Sequence, residues 1–102
     1  MTRIDGFDWD AGNRAKCGKH GVTLDEIEAV FRYPHHLFPD PGHSAVETRM
    51  LAIGKGAGSR PIFVAFTLRH HGLARLIRPI SARFMHAREI EHYEQAIARA
   101  DQ

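Results

Sequence analysis

The change in periodicity near residue 46 constrains the fold more than any other feature of this chain. From Val46 to Gly54, Pro61 to Arg69 and Leu73 to Arg83, residues of strand character replace the helical spacing of the first half. The segments between them, Gly54-Lys-Gly-Ala-Gly-Ser59 and His70-His-Gly72, are of the glycine-containing kind that closes hairpins. Strands joined in this way form an antiparallel meander. Pro79 has no N–H to give to a ladder, so an edge or a bulge is expected where it falls.

The first half reads as helices. Phe7-Asp-Trp-Asp10 is a short extended segment, and Asp10 is placed to cap a helix from Ala11 to about His20. That helix contains Gly12 and Gly18, so it depends on packing, and Gly21 is suited to end it. Thr23-Leu-Asp-Glu26 has the form of a capping box, with Val22 and Ile27 as the hydrophobic staple around it. Ile27, Val30 and Phe31 mark the buried face of this second helix, which must stop before Pro34. His35 to Ser44 reads as a loop, and Met85 to Ala100 as a closing helix with Ile90, Tyr93 and Ile97 at helical spacing. The expected fold is therefore α+β in one domain over residues 1–102: short strand, two helices, three-stranded meander, final helix.

Charge points toward function. Between Thr48 and Arg88 there is no Asp or Glu, yet eight cations fall there: Arg49, Lys55, Arg60, Arg69, Arg75, Arg78, Arg83 and Arg88. The whole chain carries a formal charge of only +2, so the average conceals a basic block suited to a polyanion. Arginine predominates in it, and its planar fork matches phosphate. No apolar run is long enough for a membrane span and no signal peptide is evident at the N-terminus. A single cysteine, Cys17, fits a reducing cytoplasm and reads as a small buried thiol.

Phe7-Asp-Trp-Asp10, Asn13, Lys16 and Lys19-His-Gly-Val-Thr23 resemble the opening of the BrnT toxin family. Phe31, Asp40, His43, Glu47-Thr-Arg49, Ile53-Gly54, Thr67, Arg69, Ile77-Arg-Pro-Ile-Ser-Ala-Arg83, Arg88-Glu89 and Tyr93 continue that pattern. One departure is Ala45-Val46, where a small or glycine-containing turn is more usual. The resemblance implies a RelE-like fold and a ribonuclease toxin of a type II toxin–antitoxin pair that inhibits translation. It also implies a BrnA-like antitoxin as tight partner in a hetero-oligomer, RNA as substrate, and operator DNA reached only through the antitoxin. No cofactor and no metal are expected.

Cleavage of RNA without metal uses the 2′-hydroxyl as nucleophile; the protein takes its proton, stabilises charge on phosphorus and protonates the leaving oxygen. Arg49, Arg69 and Arg83 fall on three different strands, where adjacent pairing can gather them on one face. Glu47 shares a strand face with Arg49 and is a candidate base, or equally a structural ion-pair partner; Ser81 shares a face with Arg83. His20 is a candidate for proton transfer and Lys19 for phosphate contact, though both also suit a helix C-terminus. Arg78, His86 and Arg88 complete the expected RNA-contacting set. His35, His36, His43 and Asp40 match no compact zinc spacing and read as a surface loop. Two other classes stay open: a non-catalytic nucleic-acid-binding module on the same arginines, and a degenerate toxin that serves only as a scaffold for antitoxin and operator binding.

Overall fold

The computed structural model describes residues 4–40, 42 and 47–100. The elements run β1 (Gly6–Phe7), α1 (Ala11–Gly18), α2 (Leu24–Arg32), β2 (His36–Pro39), β3 (Met50–Gly54), β4 (Ile62–His71), β5 (Ala74–Phe84) and α3 (Ala87–Ala100). The fold is α+β. Its sheet has five strands in the order β1-β5-β4-β3-β2, with β1 parallel to β5 and every other pair antiparallel.

The meander β3-β4-β5 forms at its centre as expected, and two edge strands extend it. β2 lies inside the segment read as a loop. Its Pro39 and the turn residues around it hide a four-residue edge strand, which needs a partner on one side only. β4 and β5 run to His71 and from Ala74, so the hairpin turns at Gly72-Leu73 with Gly72 at φ 62°. His70 and His71 are thus paired strand residues rather than turn residues. β3 begins its pairing at Met50; the expected start at Val46 and the Ala45-Val46 departure lie outside the described residues.

Local chemistry sets the helices. The Asp10 side chain accepts from Asn13 N–H while the Asn13 side chain accepts from Asp10 N–H, a reciprocal cap that compensates for the glycines of α1. Thr23 and Glu26 do the same for α2. Gly21, at φ 85°, turns the chain between the two. Both helices cover one face of the sheet: Cys17, Val22, Ile27 and Val30 pack against Ala52, Ile62, Val64, Phe66, Ile77 and Ala82. α3 differs, because no residue in it is buried.

Candidate active site

Register decides which residues share a face. Val64 and Phe66 point into the helix-covered core, so Phe63, Ala65, Thr67 and Arg69 point to the opposite face. On β5 a bulge intervenes: Ala65 pairs with Ser81 but Phe66 with Pro79, leaving Ile80 as the extra residue. The bulge is decisive for Arg83. Ile77 and Pro79 are core-facing, and unbroken alternation would bury residue 83; the extra residue instead turns Ser81 and Arg83 to the face that carries Arg69. Asn13 fixes the bulge, donating from its side chain to the carbonyls of Pro79 and Asp8, each at 2.9 Å.

Arg69 and Arg83 therefore share a face, but not a point. Arg83 pairs with Phe63, six residues along β4 from Arg69, a separation of about 20 Å at the rise of a strand. At one end of the face, Arg69 grips Glu47 through Nε to Oε2 at 2.8 Å and Nη2 to Oε1 at 3.1 Å. Both side chains remain over two-fifths exposed. The β3–β4 ladder ends at Met50 opposite Phe66, but Thr67, next on β4, reaches the Thr48 carbonyl oxygen at 2.7 Å, so the segment of Glu47 to Arg49 runs alongside the Arg69 end of β4. Glu47, Arg49 and Arg69 thus gather at this end, Arg49 half-buried and the other two exposed.

At the other end, Arg83 forms a two-pronged pair with Glu89, Nη1 to Oε1 at 2.7 Å and Nη2 to Oε2 at 2.8 Å, with its guanidinium 5.0 Å from the centre of the Phe63 ring. Glu89 also accepts the His86 backbone N–H at the start of α3. These contacts, Arg83 foremost, hold the Glu89 carboxyl down at about 2. Hydrogen bonding to Glu89 likewise raises Arg83. Besides its place in the family pattern, Glu89 is marked in the sequence by standing three residues into α3, as the acid that closes a helix N-terminus.

The remaining sequence candidates disperse. His20 and Lys19 are exposed just past the C-terminal end of α1, a helix that packs on the sheet face opposite the one carrying Arg69 and Arg83. Arg78 bridges Asp10 at 2.9 Å and Asp8 at 3.6 Å, fastening the β1–α1 connection to β5; the Asn13 N–H of the helix cap, followed by Arg78, draws the Asp10 carboxyl down. Ser81, His86 and Arg88 are exposed, Ser81 opposite Ala65 between the two ends and the others at the start of α3. His36 Nδ1 lies 2.7 Å from the Tyr93 hydroxyl and His35 Nδ1 lies 2.8 Å from the Tyr33 carbonyl oxygen, while His43 lies outside the described residues. Among the described residues no cluster of His, Cys, Asp and Glu has the arrangement of a metal site. Cys17 is fully buried, and burial pushes its thiol up to about 11. A cavity of about 790 Å³ lies away from the arginine pairs on the covered side, lined by Phe7, Phe31, Met50, Phe66, Leu68 and Ile77 among others.

The acid-free stretch is thus acid-free only along the chain. Folding brings Glu47, Asp8, Asp10 and Glu89 from outside it onto Arg69, Arg78 and Arg83. The architecture defines a small α+β protein with arginine–carboxylate pairs at both ends of the sheet face opposite α1 and α2.

Residues 9–89 match the family model described as the ribonuclease toxin, BrnT, of type II toxin–antitoxin systems. The chain belongs to this BrnT ribonuclease toxin family. A search of curated proteins gives no significant match. The matched span includes both arginine–carboxylate pairs, the bulge at Pro79 and the Asp10 cap. No helix among the described residues is long and apolar enough to cross a membrane.

Proposed function

We propose that this chain is a metal-independent endoribonuclease whose reaction centre is the Glu47–Arg49–Arg69 end of the sheet, and that it acts in the cytoplasm to inhibit translation. The observation that carries this reading is the gathering of a carboxylate and arginines from the β3 and β4 sides on one exposed patch. Glu47 takes the proton of the substrate 2′-hydroxyl. The 2′-oxygen bonds to phosphorus, the P–O5′ bond breaks, and the departing oxygen takes a proton from solvent, leaving a 2′,3′-cyclic phosphate and a 5′-hydroxyl. Arg69 and Arg49 meet the charge that develops on the phosphoryl oxygens. Arg69 is already two-pronged on Glu47, so substrate binding exchanges part of that contact for phosphate. In this reading Arg83, Ser81, His86 and Arg88 bind the flanking strand, Arg78 serves the fold, and His20 and Lys19 take no part in the bond-breaking step. A BrnA-like antitoxin with a DNA-binding domain is the expected restraint and the sole link to operator DNA.

The test is antitoxin-free protein incubated with RNA in excess chelator. Cleavage with cyclic-phosphate ends, blocked by a 2′-deoxy substitution at the cut and lost in Arg69→Ala with unchanged circular dichroism, supports the reading. Intact RNA retained with steep salt dependence would instead assign a binding module.

A further inference from the structure

We infer that Thr67 is a positioning residue for this centre: its hydroxyl holds Glu47 and Arg49 in register with Arg69. The inference rests on the reading of the Glu47–Arg49–Arg69 patch as the reaction centre.

The β3–β4 ladder begins at Met50 paired with Phe66, whereas β4 itself continues to His71 against β5 alone. Glu47 to Arg49 thus lie beyond the ladder, and side chains of β4 substitute for it. Thr67, only 2% exposed, donates from Oγ1 to the Thr48 carbonyl oxygen at 2.7 Å. On the other side Asp40 N–H donates to the Arg49 carbonyl oxygen at 3.1 Å. Consecutive carbonyls are gripped from opposite directions, as in a central strand, but one grip is a single hydroxyl. Thr48 lies between the two functional residues, so this bond sets where both side chains leave the backbone. Small displacements of reacting groups are costly in rate. Glu47 is otherwise held to β4 through its side chain by Arg69, the very contact that substrate must disturb. A fastening that does not involve the reacting groups is needed to keep the segment in place during that exchange, and the Thr67 hydroxyl provides it.

The experiment compares Thr67→Val, which keeps the branched shape and removes the hydroxyl, with Thr67→Ser, which keeps the hydroxyl. Cleavage of a short RNA is followed at a temperature where melting shows every variant folded; Thr67→Ala replaces Thr67→Val if the latter does not fold. Thr67→Val is expected to lower kcat by ~10-fold or more with KM nearly unchanged, and Thr67→Ser to restore most of it. In the Glu47→Gln background, Thr67→Val should add little, because the group it positions is already gone. Unchanged kcat in Thr67→Val, a loss confined to KM, or a loss that adds in full to that of Glu47→Gln would overturn the inference. Full activity in Glu47→Gln alone would instead bring down the reading of the centre, and is distinguishable because it requires no Thr67 variant.

Discussion

The two ends of the sheet face opposite α1 and α2 carry the same pair of chemical groups in different states of commitment. At the Arg83 end the guanidinium is stacked on Phe63 and locked to Glu89, whose second duty is to cap α3. At the Arg69 end the pair is more exposed, and Glu47 lies on a segment beyond the backbone ladder. A contact that fastens a helix cannot readily be given up whole to the reacting phosphate. A contact at the end of a ladder can be. On the proposed reading, the difference separates a pair that fastens α3 from one available for chemistry, although composition is identical.

The sharpest way to break this comparison is to truncate both arginines. Arg69→Ala is expected to lower kcat by ~10²–10³-fold, the usual cost of removing one charge-stabilising donor from a reaction centre. Its melting temperature should barely move, because the pair is exposed. Arg83→Ala should do the reverse, lowering the melting temperature and weakening RNA retention while leaving most of kcat. Equal losses of kcat at the two positions would show that the ends act as one site despite the ~20 Å of strand between them.

The second prediction concerns the fastening alone. Glu89→Gln removes the charge of the pair while keeping a side chain of similar shape. The cost is about 1 kcal/mol, at the upper end for a partly exposed ion pair, and corresponds to a fall of a few degrees in melting temperature. Because α3 has no buried residue, hydrogen exchange in its first turn should accelerate more than exchange in β4 or β5. A loss of activity as large as that of Arg69→Ala would make Glu89 a member of the chemistry and erase the distinction.

Sequence made the fastenings legible where they are local and obscured them where they are not. Thr23 with Glu26 and Asp10 as a cap are each determined within a few residues and found as read; Gly21 takes the left-handed conformation expected of it, but α1 stops earlier, at Gly18 with Lys19 as its cap. The possibility of a bulge at Pro79 was also readable, since proline cannot donate. Its consequence was not readable: the facing of Arg83 depends on one unpaired residue, Ile80, and a shift of one reverses everything beyond it. The placing of Arg69 and Arg83 on separate strands was visible, with Arg49 falling just before β3 rather than in it, but their separation along the sheet depends on register, which no local pattern specifies. β2 was hidden because a four-residue edge strand with a proline has the composition of a loop. Glu47 was legible as a partner for an arginine, but Asp8 and Asp10 were not legible as partners of Arg78, because about seventy positions of chain separate them, a distance that only folding closes.

Acid offers a third test, reversible and without mutation. Glu89 is held at about 2, below its ordinary 4.5, chiefly by the hydrogen bonds from Arg83. A lowered carboxyl contributes stability that is complete above the unfolded value and is lost as pH falls toward the folded one. The hold of Arg83 on α3 should therefore be intact above about 4.5 and fade between 4.5 and 2. Melting temperature should fall through that window more steeply in the wild type than in Glu89→Gln, which lacks the titrating group. Parallel slopes in the two proteins would assign the acid sensitivity to other carboxylates and leave the Arg83 end no more committed than the Arg69 end.

The smallest expected effect lies further along α3. The Tyr93 hydroxyl is 3.4 Å from the Ile53 carbonyl oxygen, to which it donates, and 2.7 Å from His36 Nδ1, with the two rings edge to face at 5.5 Å. A protonated Nδ1 donating to the hydroxyl oxygen while the hydroxyl donates to Ile53 satisfies both contacts. Tyr93→Phe removes these bonds and leaves the ring packing, so its cost should be about 0.5 kcal/mol, below that of Glu89→Gln. The His36 imidazole resonance should move, since its neighbour is altered, while kcat stays at the wild-type value because the edge strand bears no reacting group. A drop in melting temperature as large as that of Glu89→Gln would place the attachment of α3 at Tyr93 rather than Arg83. The Arg83 pair would then be free to exchange its carboxylate for phosphate, as the Arg69 pair is, and the contrast between the two ends would rest on α3 packing alone.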